Sequence, residues 1–319
     1  MRSLDYSRLL FFICLVMGII MWYNIRVVKE MFKNDKTKGI AYIILSAFFF
    51  ALMNLFVKLS GDLPIMQKSF FRNAVAVVFA VILISKNHMW EMPRGKNILY
   101  LFIRSAAGTV GILCNFYAIS HMNIADASML NKLSPFFAVI FSIFILKEKA
   151  SFRQAAAVTA AFLGSLLIMK PSFSMEALPA LLGFLGGMGA GLAYTYVRKL
   201  SQNGIKGPVI IFVFSLFSCV VTLPGLIVGY KPMTIIQLLY LLFAGLCACG
   251  GQFFITAAYA KAPAKEISVY DYSQIIFTTA ISFIVFHEMP DYLSIIGYCV
   301  IVGAAVFNAW NSLKKSNSN

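Results

Sequence analysis

Apolar runs of about twenty residues recur along almost the whole chain, each closed by a short polar break. A helix of that length spans the hydrocarbon core of a bilayer. From Gly39 onward ten such runs are predicted, at 39–59, 64–84, 97–118, 123–146, 151–170, 177–197, 207–229, 233–259, 265–286 and 291–312. The breaks include Gly61–Pro64, the polar turn 85–96, Ser120–Asn123, Lys147–Ala150, Pro171–Glu176 and Lys261–Ala264. The fourth run carries Asn131, Lys132 and Ser134-Pro135 well inside it. A lysine at such depth costs on the order of 2.5–3.5 kcal/mol on insertion scales, so it is expected to face protein or water rather than lipid.

Composition sharpens this picture. Of 319 residues 60% are hydrophobic and 12% charged, against about a quarter charged in soluble domains. The chain therefore reads as an all-α polytopic membrane protein. Its formal net charge of +15 would suggest nucleic acid on a soluble chain. Here the basic residues sit mainly in connections between runs, where they set topology, and no nucleic-acid partner is expected. The partners expected are the lipid bilayer and a small-molecule substrate, with an oligomer left open. The six cysteines lie in apolar runs without metal-type spacing, and the three histidines sit at connections. No phosphate-cradling glycine loop occurs, so no metal, cofactor or nucleotide-driven chemistry is indicated.

Charge also orients the helices. Lys86, Arg94 and Lys96 occupy the second connection, Lys147, Lys149 and Arg153 the fourth, Arg198, Lys199 and Lys206 the sixth, and Lys261 and Lys265 the eighth. The odd connections hold few, Lys170 and Lys231 being exceptions. This alternation places the even connections and the C-terminus in the cytoplasm of a cell-membrane protein.

The chain repeats itself. A displacement of 140 puts Ser128 on Ser268, Phe137 on Phe277 and Glu148 on Glu288, and Lys58-Leu59-Ser60 resembles Lys199-Leu200-Ser201. Each half then holds five helices, an odd number, so the halves enter the membrane from opposite sides. Such inverted repeats are a transporter architecture with the solute site near the midplane. The expected segments are an N-terminal hydrophobic stretch and basic lead-in at 1–38, repeats at 39–171 and 176–312, and a cytoplasmic tail at 313–319. Residues 9–25 admit three readings: an uncleaved anchor, an additional spanning helix, or sequence upstream of a true start at Met31.

Ionisable groups inside spanning segments are functional candidates by default. Lys132 and Asp271 lead the set, and the repeat places Asp271 opposite Asn131. Arg72 is a candidate fork for a carboxylate or phosphate. Arg104 is expected instead to snorkel to the cytoplasmic surface. Asn131, Asn115, Gln252, Tyr259 and Tyr272 complete the predicted substrate-binding set, and Asn54, Tyr194 and Tyr196 are further wall candidates. Asp271 is also the candidate proton carrier for coupling. Glu148 and Glu288, at helix ends, are read as caps or interfacial partners. The fifth and tenth runs have uncharged centres and are expected at the periphery.

Several short motifs resemble the EamA domain of the drug/metabolite transporter superfamily. In the first half these are Pro64 followed by Phe70-Phe71-Arg72, then Tyr117-Ala118, the Ala125/Ala127/Ser128 cluster, Ser134-Pro135 and Glu148. The second half shows Ala258-Tyr259-Ala260, Pro263-Ala264, Ser268 and Glu288, but has Gln274-Ile275 in place of Ser-Pro and Phe212 in place of Arg72. The resemblance covers about residues 39–312 and implies a ten-helix, two-repeat carrier with both termini cytoplasmic. The function expected is secondary transport of a small polar metabolite, an amino acid or related zwitterion or anion, by alternating access, with export preferred. The alternatives are uptake of a nucleotide-like metabolite such as S-adenosylmethionine, and a membrane-embedded acyltransferase. The latter needs a nucleophile and base held together, which the sequence does not supply; no enzyme is expected.

Overall fold

A computed structural model describes residues 35–89, 93–121, 130–149, 151–169, 177–286 and 292–316. Among them every regular element is helical. The principal helices are α1 (Asp35–Leu59), α2 (Ile65–Lys86), α3 (Lys96–His121), α4 (Ser134–Leu146), α5 (Phe152–Met169), α6 (Ala177–Gln202), α7 (Gly207–Val228), α8 (Ile235–Lys261), α9 (Ser273–Phe286) and α10 (Tyr292–Ser316). Six of these, α1, α2, α3, α6, α7 and α8, contain segments long and apolar enough to cross a membrane. The chain is a multi-pass membrane protein. The hydrophobic segment 9–25, the Ala125/Ala127/Ser128 cluster, His287 and Glu288 lie outside the described residues.

Local chemistry sets the helix ends. Pro64 precedes the first turn of α2, and Pro208 occupies the first turn of α7, where a missing N–H costs nothing. Thr234 caps α8 in a reciprocal capping box with Gln237, satisfying two otherwise orphaned donors.

Two predicted spans differ from expectation. The fourth is not one continuous helix: residues 130–131 are helical, Lys132 and Leu133 form a turn, and α4 starts at Ser134. Proline at the start of α4 explains the break. It cannot donate to a carbonyl one turn back, and its ring clashes there. The ninth is also interrupted. Ala264–Ile267 forms one helical turn, Ser268–Tyr272 a 3-10 turn, and α9 begins only at Ser273. No proline stands at that break. The tyrosines anchor it instead: Tyr270 donates to the carbonyl of Ala305 at 3.2 Å and Tyr272 to that of Lys132 at 2.9 Å. Under the displacement of 140, the turn at 132–133 falls on 272–273, where the 3-10 turn gives way to α9, so both halves break at corresponding places. Lys132 thus lies in a turn and Asp271 in a 3-10 turn, neither inside a regular α-helix.

Packing joins the halves throughout. The extensive helix pairs are α1 with α8, α3 with α6, α2 with α7, α5 with α10, α2 with α8, α3 with α7, α4 with α6, and α1 with α9. Exchanging each helix for the one five places away leaves this set of pairs unchanged. Small residues permit the closest approaches. A Cβ on Gly251 of α8 would lie 2.7 Å from the ring of Phe50 on α1, and Ser46 of α1 donates to the Gly251 carbonyl at 2.9 Å. On α6, a Cβ on Gly187 would stand 2.5 Å from the Leu130 carbonyl oxygen, and one on Gly191 2.8 Å from that of Ser134. The α6 glycines therefore seat the broken segment that carries Lys132. Large apolar side chains such as Phe144, Ile227, Val228 and Trp310 cover the exterior, as a lipid-facing surface requires.

Candidate functional site

A cavity of about 110 Å³ opens where the two breaks meet. Its wall is drawn from α1 (Phe50, Met53, Asn54), α2 (Arg72), α3 (Arg104, Gly108, Gly111, Ile112, Asn115, Phe116), the first break and α4 (Asn131, Lys132, Ser134), α6 (Ala190, Ala193, Tyr194), α7 (Phe214), α8 (Gln252) and the second break and α9 (Asp271, Gln274). Neither α5 nor α10 contributes a lining residue; they pack on each other, in keeping with their uncharged centres.

One corner is a closed polar network. The Lys132 ammonium lies 3.1 Å from Asp271 Oδ2 and donates to Gln274 Oε1 at 2.7 Å. Its contact with the Asp271 carbonyl oxygen is 3.4 Å. Tyr272, behind the wall, donates to the Lys132 carbonyl. Both charged side chains are more than nine-tenths buried. Each break therefore supplies one charge, and each charge has its partner in the opposite half. Burying either alone would cost several kcal/mol.

The other corner is different. Arg72 is 5% exposed and Arg104 1%, yet no carboxylate among the described residues lies within ion-pair distance of either. Arg72 Nε contacts the Met53 sulfur at 3.2 Å, and its Nη1 is buried with no partner. Arg104 donates from Nη2 to Gln252 Oε1 at 3.1 Å, and its guanidinium carbon lies 3.8 Å from the Phe214 ring centroid. That stacking is favourable for a desolvated cation, but Arg104 Nε remains buried and unbonded. Asn115 presents a buried, unbonded amide oxygen. A side chain on Gly108 would collide with both groups: its Cβ would stand 2.5 Å from Arg104 Nη1 and 2.9 Å from Phe214.

Of the predicted residues, Lys132, Asp271, Arg72, Asn131, Asn115 and Gln252 line this one cavity. Tyr272 and Tyr259 do not. Tyr272 supports Lys132 from behind, and Tyr259 is buried against Tyr194, with ring centroids 5.2 Å apart. Asn54 and Tyr194 line the wall, whereas Tyr196 packs on Tyr100 outside it. The expectation that Arg104 snorkels is overturned. Its carboxamide and aromatic partners, both on other helices, hold it inward. Phe214 and Gln274 escaped the sequence reading as site residues. Gln274 was visible as the residue standing where the first half has Ser134; Phe214 had no signal, being one phenylalanine among many.

Glu148, just beyond α4, pairs with Arg198 of α6 at 2.7 Å. Arg198 also donates to the Tyr259 carbonyl at 3.1 Å. This contact lies at the end of α6 that carries the basic connection, and Lys261–Asp35 (3.1 Å) and Lys36–Glu266 (3.8 Å) link further residues from the two halves. Among the described residues no group of three or more His, Cys, Asp or Glu is placed to hold a metal.

Comparison with known proteins decides what this frame is. The EamA-like transporter family matches residues 37–170 and 177–310, nearly all of the chain from α1 onward. The chain belongs to the EamA-like transporter family. Among relatives of this EamA-like protein, the pseudopaline exporter CntI of Pseudomonas aeruginosa strain UCBPP-PA14 is 31% identical over 271 residues, covering 84% of this chain and 94% of that protein. Human solute carrier family 35 member G1 is 30% identical, covering 86% and 81%. A riboflavin transporter of Rhizobium johnstonii is 24% identical, covering 87% and 92%. A crystal structure only 13% identical superposes with a TM-score of 0.75 over 87% of this chain and 98% of that one, which establishes the shared fold alone. Family and relatives are transporters, so the protein is a membrane transporter of a small molecule rather than an enzyme.

Proposed function

We propose that this EamA-like protein is a secondary carrier that exports a small anionic or zwitterionic metabolite by alternating access. The observation that carries the reading is the buried Lys132–Asp271 pair joining two helix breaks, one from each half, on the wall of a shared cavity. Broken helices at mid-membrane are where carriers expose backbone and charge to solutes. The exchange symmetry of the helix pairs supports two inverted five-helix repeats, with boundaries near 39–171 and 176–312. The basic even connections support a cytoplasmic C-terminus. The Arg198–Glu148 and Lys261–Asp35 contacts then close the cytoplasmic side. Export is favoured by the relative named as an exporter.

The excess of cations over carboxylates in the cavity argues against S-adenosylmethionine, whose sulfonium would add another positive charge. Asp271 is the candidate proton carrier. Protonating it would release Lys132 from its partner and loosen the contact between the breaks. Counterflow in proteoliposomes, with an imposed pH gradient in each direction, tests both parts. Saturable counterflow that responds to the gradient and loses that response in Asp271→Asn is expected. Saturable flux indifferent to either gradient would remove proton coupling, and absence of any counterflow across a panel of anions and zwitterions would remove the carrier.

A further inference from the structure

Among the described residues, the cavity wall carries Arg72, Arg104 and Lys132 against the single carboxylate Asp271. Three cations and one anion leave a net charge of +2, and the anion is already committed to Lys132 at 3.1 Å. Both excess charges sit on guanidinium groups at least nineteen-twentieths buried. Each keeps one nitrogen buried and unbonded, Nη1 of Arg72 and Nε of Arg104. A buried charge without a counter-charge is strongly unfavourable. A protein that needed these arginines only for packing would be expected to pair them, as it pairs Arg198 with Glu148 and Lys132 with Asp271.

Resting on the carrier reading above, we infer that the site is built for a small solute bearing two negative charges, one taken by Arg72 and one by Arg104. Asn115, whose amide oxygen is also buried and unbonded, supplies an acceptor for a hydroxyl or N–H group of the same solute. The neighbours of each arginine limit how it binds. Met53 occupies the Nε edge of Arg72, and Gln252 holds Nη2 of Arg104. Each guanidinium keeps unpaired N–H groups beside these contacts, Nη1 of Arg72 and Nε of Arg104 among them, so each can take an anionic group of its own. A monoanion leaves one guanidinium unpaired, and a cation adds a third uncompensated charge. The order of preference is dianion, then monoanion or zwitterion, then cation. Two carboxylates, or one phosphate ester with its two charges, satisfy the same chemistry.

The test is the thermal stability of the purified full-length protein in detergent at neutral pH, since a ligand that binds the folded state raises its melting temperature. The probes are succinate, glycerol 3-phosphate, lactate, glycine and spermidine, each at the same millimolar concentration and matched ionic strength. The proteins are wild type, Arg72→Gln, Arg104→Gln and Arg72→Lys. Succinate or glycerol 3-phosphate is expected to raise the wild-type melting temperature well beyond lactate or glycine, with spermidine inert. Whichever dianion gives the larger shift distinguishes carboxylate from phosphate recognition. The shift is expected to vanish in both Gln variants and to survive in part in Arg72→Lys, which keeps the charge and so separates its loss from a damaged fold. Equal shifts from lactate and succinate, a dianion shift retained in both Gln variants, or no shift with either dianion would overturn the inference. Counterflow keeps this apart from the carrier reading. Saturable counterflow of glycine without any of succinate or glycerol 3-phosphate would sink the dianion inference and leave the carrier standing, whereas no counterflow of any solute would sink the carrier itself.

Discussion

The two ends of the cavity treat buried charge in opposite ways. At the helix breaks, Lys132 has a carboxylate, a carboxamide and a backbone oxygen around it. Across the cavity, Arg72 and Arg104 are equally buried and have no carboxylate among the described residues. The difference separates two roles. A charge satisfied within the protein holds the halves together. A charge left unsatisfied waits for something that is not part of the protein. Which of the two a residue does depends on its partners, not on its type or depth.

The largest effect is expected where a partner is removed from the closed corner. Asp271→Asn leaves Lys132 buried without a counter-charge and should cost about 3–5 kcal/mol, read as a fall in the denaturation midpoint. Replacing both members together, Lys132→Met with Asp271→Leu, should recover most of that loss, because a buried ion pair is often no better than apolar side chains of similar volume, while abolishing any pH response of transport. Next comes Gly187→Ala. Its Cβ would meet the rigid Leu130 carbonyl, so the break that carries Lys132 must shift. Overpacking of this kind costs about 1–3 kcal/mol, and transport should fall further than stability. A smaller effect, of opposite sign, is expected at the open corner, where Arg72→Gln removes an uncompensated charge and should stabilise the ligand-free protein. The smallest belongs to Asp35→Asn at the surface. Its partner Lys261 is itself well exposed, exposed ion pairs contribute little, and no resolvable change in melting temperature is expected.

Much of the frame was legible in the sequence, for reasons that the structure makes plain. Apolar run length located most spans, because lipid enforces length; α6 and α7, for instance, start where the run and its prolines or glycines put them. The two spans read as continuous helices, 123–146 and 265–286, are those interrupted beside the site. Run length cannot see a break whose residues are apolar or aromatic, such as Val269 and Tyr270. Ser134-Pro135 did carry the signal for the first break; the second has no proline and is held by tyrosine hydroxyls reaching other segments, which no local pattern records. Lys132, Asp271 and Arg72, which line the cavity, stood out in the sequence because ionisable residues are rare inside apolar runs. Arg104 was misjudged because its distance from a helix end suits snorkelling as well as burial. Only Gln252 and Phe214, far off in sequence, decide between them.

The contrast between the two corners is tested most directly by the melting temperatures of the ligand-free wild type, Asp271→Asn and Arg72→Gln, measured side by side in one detergent. The expected result is a shift in opposite directions, Asp271→Asn below wild type and Arg72→Gln above it. If Arg72→Gln melts as far below wild type as Asp271→Asn does, Arg72 is a structural charge like Lys132, and the positive corner is not held open for a solute.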